Sequence, residues 1–61
     1  MEVHVETAVL DDGNPIVYRD FGRRVRLAYD PRQINQGEAL DLLTHFLPEC
    51  AGAEVIHRAG A

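Results

Sequence analysis

The chain has no lysine, one cysteine, and no run of about 20 apolar residues. Each shortage closes a route. The lone Cys50 has no partner for an intrachain disulfide, so no cystine framework supports the fold. Without a long apolar run, and without a basic start leading into an apolar stretch, neither a membrane span nor a secretory signal is expected. A reducing cytoplasm is the expected home of a single free thiol. Sixty-one residues make one small domain, 1–61, which buries only about 60% of the surface its unfolded chain exposes. Stability that thin favours a second copy or a larger partner. It also disfavours an enzyme, because one helix on a small sheet rarely walls a pocket of the several hundred Å³ that catalysis uses.

What is present is unevenly charged. Six bases oppose ten acids for a net charge of −4, and all six bases are arginine. Residues 1–18 carry Glu2, Glu6, Asp11 and Asp12 with no base. Residues 19–32 carry five arginines against Asp20 and Asp30. Residues 33–61 carry Glu38, Asp41, Glu49 and Glu54 against Arg58 alone. A nucleic-acid-binding domain is normally basic overall; here acidic flanks surround a basic waist, so direct nucleic-acid binding is not the leading expectation.

Val3, Val5, Thr7 and Val9 alternate with Glu2, His4 and Glu6, the period of a half-buried strand over 3–10. The cluster Asp11-Asp12-Gly13-Asn14-Pro15 ends it. A second strand is expected over 16–21. A third is expected over 24–29, with Val25, Leu27 and Tyr29 inward and Arg24 and Arg26 outward. Phe21-Gly22-Arg23 between them is short enough for a hairpin. Asn35 followed three residues later by Glu38 matches a capping box. The helix it opens places Leu42, Phe46, Ala39, Cys50, Leu43, Leu47 and Leu40 on one arc, opposite Glu38, Asp41, His45 and Glu49. Pro48 ends or bends that helix near Leu47, and a short strand follows over 54–58.

Three groups invite chemistry. Asp20-Phe21-Gly22 spells the magnesium-holding triplet of protein kinases, yet such enzymes also need a phosphate-binding strand lysine, a glycine-rich loop and a catalytic loop. None of these occurs, so the triplet reads as a turn. The wider string VYRDFG, residues 17–22, resembles a stretch of siderophore synthetases that work without a peptide-synthetase assembly line; the resemblance covers six residues. His4, His45, His57 and Cys50 lack the close spacing of zinc ligands, and Cys50 lies on the apolar arc where a thiolate is disfavoured. Neither a metal nor another cofactor is expected.

The third group is charge itself. Arg19, Arg23, Arg24 and Arg26 could grip phosphates or carboxylates through bidentate contacts, or simply pair with Glu2, Glu6, Asp20 and Asp30 across the sheet. Glu38, Asp41 and Glu49 have no lysine or arginine on the helix to offset them at i±4.

The fold expected is α+β: a small antiparallel sheet in βββαβ order, with one amphipathic helix packed on one face through Leu40, Leu43, Phe46 and Leu47. The last strand should run parallel to strand one or three, because a helical crossover precedes it. The leading functional expectation is a small acidic non-enzymatic protein that occupies the nucleic-acid groove of a larger protein. It would do so by charge mimicry through Glu2, Glu6, Asp11, Asp12, Glu38, Asp41 and Glu49. At the level of class this fits phage-encoded inhibitors of defence complexes, anti-CRISPR proteins among them. The alternative is a homodimeric structural or regulatory module that pairs through an edge strand and uses Arg19, Arg23, Arg24 and Arg26 on nucleic acid or an acidic partner.

Overall fold

The computed structural model describes residues 1–58. Strands β1 (Glu2–Thr7), β2 (Ile16–Asp20) and β3 (Arg24–Tyr29) precede helix α1 (Gln36–Phe46). A single 3₁₀ turn, Pro48–Cys50, and strand β4 (Glu54–His57) follow. The four strands form one sheet in the order β2-β3-β1-β4, with the helix on one face, so the α+β class and the βββαβ order are those the sequence implies.

Within the sheet only β2 and β3 are antiparallel; β1 runs parallel to both of its neighbours, β3 and β4. A wholly antiparallel sheet would need β1 beside β2, the strand that runs opposite to it. Eight residues separate them, and the chain uses that length to carry β2 past β3 to the edge. The strands with the cleanest apolar alternation take the centre. Val3 and Val5 of β1 and Val25 and Leu27 of β3 are buried, whereas β2 and β4 contain no buried residue.

Helix α1 begins as the sequence dictates. The Glu38 amide donates to Asn35 Oδ1 at 2.8 Å, and the Asn35 amide donates to Glu38 Oε1 at 3.0 Å, which closes the capping box. The helix sets Ala39 and Leu43 into the core beside Val3, Val5, Val25, Leu27, Tyr29 and Cys50, with Leu40 and Leu47 partly buried at its margin. Phe46 is not a core residue: it is 55% exposed and lies over Tyr18, ring centroids 6.3 Å apart. Pro48 ends the helix and opens the 3₁₀ turn, which gives Glu49 a place in a new first turn rather than at the negative end of α1.

Asp30 is fully buried at the end of β3 and ties three segments together. Its carboxylate accepts from the Leu10 amide at 3.2 Å and the Arg32 amide at 2.9 Å. The Arg32 guanidinium grips it from the solvent side, with Nη2 to Oδ2 at 2.9 Å and Nε to Oδ1 at 3.1 Å. Its backbone donates to the Pro15 carbonyl and accepts from Gln33 and Ile34. Hydrogen bonding from Arg32 holds the Asp30 carboxyl far below the usual carboxylate range and outweighs the cost of burial. The same pair pushes the Arg32 guanidinium up.

Candidate functional site

Strand alternation leaves one face of the sheet uncovered. Register pairs Val17 with Ala28 and Arg19 with Arg26 on that face. The neighbouring rows bring Arg24 beside Glu2, Arg26 beside His4, and Ala28 beside Glu6. Glu54 and Ile56 of β4 continue the rows past Glu2 and His4. The face is thus divided, with arginines over β2 and β3 and carboxylates over β1 and β4.

The β2–β3 hairpin concentrates the basic half. Gly22 takes a φ of +86° at its tip, and its amide donates to Asp20 Oδ1 at 2.8 Å. Asp20-Phe21-Gly22 is therefore a turn, with the aspartate spent on holding it. The turn throws Phe21 outward, 59% exposed, near Val17, which is 50% exposed. Phe21 separates two shallow grooves. One of about 310 Å³ is lined by Glu6, Val17, Arg19, Arg26 and Ala28 with Phe21 itself. The other, about 410 Å³, is lined by Arg23, Arg24, Arg26 and Phe21.

The expected pairing of this cluster is partly realised. Arg24 lies 3.9 Å from Glu2 and Arg26 3.6 Å from Glu6, long separations between half-exposed side chains that contribute about 0–1 kcal/mol each. Among the described residues Asp20 pairs with no arginine and accepts from the Gly22 amide, and Asp30 pairs with Arg32 instead of a strand arginine. Among the described residues Arg19 and Arg23 have no ion-pair partner.

The acidic residues do not gather on one surface. Glu2 and Glu6 stand on the open sheet face, and the His4 hydrogen bond at 3.0 Å is the main cause of a lowered Glu2 carboxyl. Asp11 and Asp12 are in the β1–β2 loop, where the Asn14 amide and side chain hold Asp12 below its ordinary range. Glu38 is engaged in the cap, while Asp41 and Glu49 are exposed on the helical layer, across the sheet from Glu2 and Glu6.

The histidines are equally dispersed. His4 bonds Glu2, His45 sits edge-on to Phe46, and His57 accepts from Gln36 Nε2 at 3.3 Å. Among the described residues no three His, Cys, Asp or Glu side chains converge as metal ligands would. Cys50 is buried, its thiol donating to Met1 Sδ at 3.6 Å. Burial first, and the nearby Glu49 and Asp20 charges second, push that thiol up. The native fold should accordingly label with iodoacetamide far more slowly than the denatured chain at neutral pH; equal rates would place Cys50 at the surface.

Comparison with family models, with curated proteins and with solved structures finds no match to the chain. Among the described residues no helix is long and apolar enough to cross a membrane.

Proposed function

We propose that the chain is a non-enzymatic binding module whose working surface is the basic half of the open sheet face, and that it takes an acidic segment of another protein. The observation that carries this reading is Phe21, more than half exposed among Arg19, Arg23, Arg24 and Arg26. Exposed aromatics and arginines are the side chains that dominate binding energy at protein interfaces. The guanidinium fork matches a carboxylate bidentately, and the short Val17 and Ala28 side chains beside it leave room for an apolar neighbour. The chain's net charge of −4 repels nucleic acid, with its dense line of phosphates, more strongly at long range than a short segment carrying a few carboxylates. That favours a carboxylate-bearing protein segment over nucleic acid. A reducing cytoplasm suits the single buried thiol.

A second reading keeps the helix as the binding face. Asp41 and Glu49 are exposed with no ion-pair partner among the described residues. Such a stripe can stand in for backbone phosphates in the groove of a nucleic-acid-binding protein, as a phage-type inhibitor of the anti-CRISPR kind would. It is the weaker reading, because Glu2, Glu6, Asp12 and Glu38 already have local partners.

Affinity capture with three versions of the protein separates the two. The Arg19→Glu/Arg26→Glu pair should weaken binding by about a hundredfold or more, while Asp41→Lys/Glu49→Lys leaves it intact. Binding should also weaken as salt shortens the Debye length below about 8 Å. The reverse pattern, with a captured partner that binds DNA or RNA, transfers the function to the acidic helix. Retention of a nucleic acid by the arginine face would replace the acidic segment as its ligand.

A further inference from the structure

We infer that two copies of the chain join through β4, antiparallel and centred on Ile56, to make one continuous eight-stranded sheet. The inference concerns a different edge of the molecule from the arginine face and stands without it.

The sheet has two free edges. On β4, the Glu54 amide donates to the Met1 carbonyl at 3.1 Å and the Arg58 amide to the Val5 carbonyl at 2.8 Å. Backbone alternation then turns the amides and carbonyls of Val55 and His57 away from β1 and along the free edge. Val55 is also among the exposed apolar residues, at 37%. Among the described residues nothing pairs with these outward groups, which leaves them open to another strand.

The side chains make the edge complementary to itself. A two-fold axis at Ile56 sets Val55 against His57 of the second copy, where the two residues exchange both backbone hydrogen bonds. It sets Ile56 against Ile56, and Glu54 against Arg58 of the second copy, once at each end. Glu54, Ile56 and Arg58 share the open face by alternation, so the interface reads acid, apolar, base along one strand and the reverse along the other. Neither Glu54 nor Arg58 has an ion-pair partner within the chain among the described residues. An isologous contact needs that self-complementarity.

The other edge lacks it. Phe21 and Asp30 amides point from the β2–β3 ladder to each other's strand, to the Arg24 and Pro15 carbonyls respectively, so Ile16, Tyr18 and Asp20 carry the free groups of β2. Pairing β2 with its copy about Tyr18 sets Ile16 against Asp20 and Val17 against Arg19, which opposes an apolar residue to a charge in every outer pair. Stacking two open faces is also disfavoured, because it would desolvate Glu2, Glu6, Arg19, Arg24 and Arg26 together.

Sedimentation equilibrium of the purified chain alone, with no partner present, tests the assignment. The expected result is a mass approaching twice 6.8 kDa as concentration rises to the millimolar range. Glu54→Arg should weaken the dimer about tenfold by placing like charges at both ends, and adding Arg58→Glu should restore it. Independently, Ile56→Cys should form an intermolecular disulfide on mild oxidation, because a non-hydrogen-bonded antiparallel pair brings the Cα atoms to about 4.5 Å. Peptide mapping distinguishes that bond from one to Cys50, and Val55→Cys, which never faces itself in this register, should cross-link poorly. A chain that stays monomeric at millimolar concentration overturns the inference. So does a dimer indifferent to the charge swap, or one in which residue 55 cross-links as well as residue 56.

Discussion

Leu43→Ala leaves the chain largely unfolded at room temperature. Leu43 is fully buried at the middle of α1, where the helix meets the centre of the sheet. Removing its isobutyl group forfeits transfer free energy and opens a cavity that a stiff sheet cannot collapse to fill, at a cost of about 2–5 kcal/mol. A chain of this length holds only about 3–9 kcal/mol in total, so at the centre of both ranges the loss takes more than half of it, and a loss at the upper end exceeds a stability at the lower end. Phe46→Ala three residues on is the control. That ring is more than half exposed and gains its order from lying over Tyr18, and its loss should cost under about 1.5 kcal/mol. Circular dichroism melts of the two variants check this pair. A Leu43→Ala protein that melts within a degree or two of the parent removes Leu43 from the core.

The second large effect is electrostatic. Asp30→Asn should fold at neutral pH but melt well below the parent, and the difference should shrink as the solution is acidified. An asparagine can accept from one amide, but its own N–H₂ then confronts the Leu10 amide or the Arg32 guanidinium, donor against donor. Asp30 has a folded-state pKa below its unfolded value of about 3.9. Its contribution to stability is therefore complete above about pH 4 and is lost as pH falls toward the folded-state value. Glu2 and Asp12 shift in the same direction and add to the acid limb. Thermal melts of parent and variant at a series of pH values give the answer: curves separated by a constant interval down to about pH 2 would show that the Asp30 charge is not what holds the three segments.

Much of this is legible in the sequence itself. Alternation in β1 and β3 named Val3, Val5, Val25, Leu27 and Tyr29 as inward-facing, and all five are buried; it also carried the strand on through Thr7 to Val9, but β1 stops at Thr7 and both of those residues are exposed. Asn35 and Glu38 gave the start of the helix, and Pro48 its end. Local sequence signals of this kind report which side of an element is wet. They do not report which strand lies beside which, and so the parallel placement of β1 between β3 and β4 was only partly legible. Phe46 shares its helical arc with Leu42 and Leu43, yet it overhangs the edge strand β2, because a helical arc is wider than the strip of sheet it can cover. In the sequence Asp30 reads only as one more carboxylate near the arginines; its capture of the Leu10 amide is a contact across 20 positions of chain, which no local pattern carries. The open-face surface depends on the same long-range register. Alternation along the second strand already puts Val17, Arg19 and Phe21 on one side, and only the pairing of β2 with β3 brings Arg26 and Ala28 beside them.

The position of β1 sets an order of events during synthesis. Of the four strands it is the first to leave the ribosome, and it is the one that ends up in the middle, with Val3 paired to Val25 on one side and to Val55 on the other. The β2–β3 hairpin can close on its own within microseconds. β1 must wait for it, and then wait again for the helix and β4, before its second edge is covered. Through that interval a valine-rich strand has one row of amides and carbonyls open to any extended chain nearby. Parallel pairings between distant segments are the slow part of folding. Glu2, His4 and Glu6 alternate with those valines, so the strand carries its charged side chains through the whole interval, the kind of residue that blunts pairing at an open strand edge.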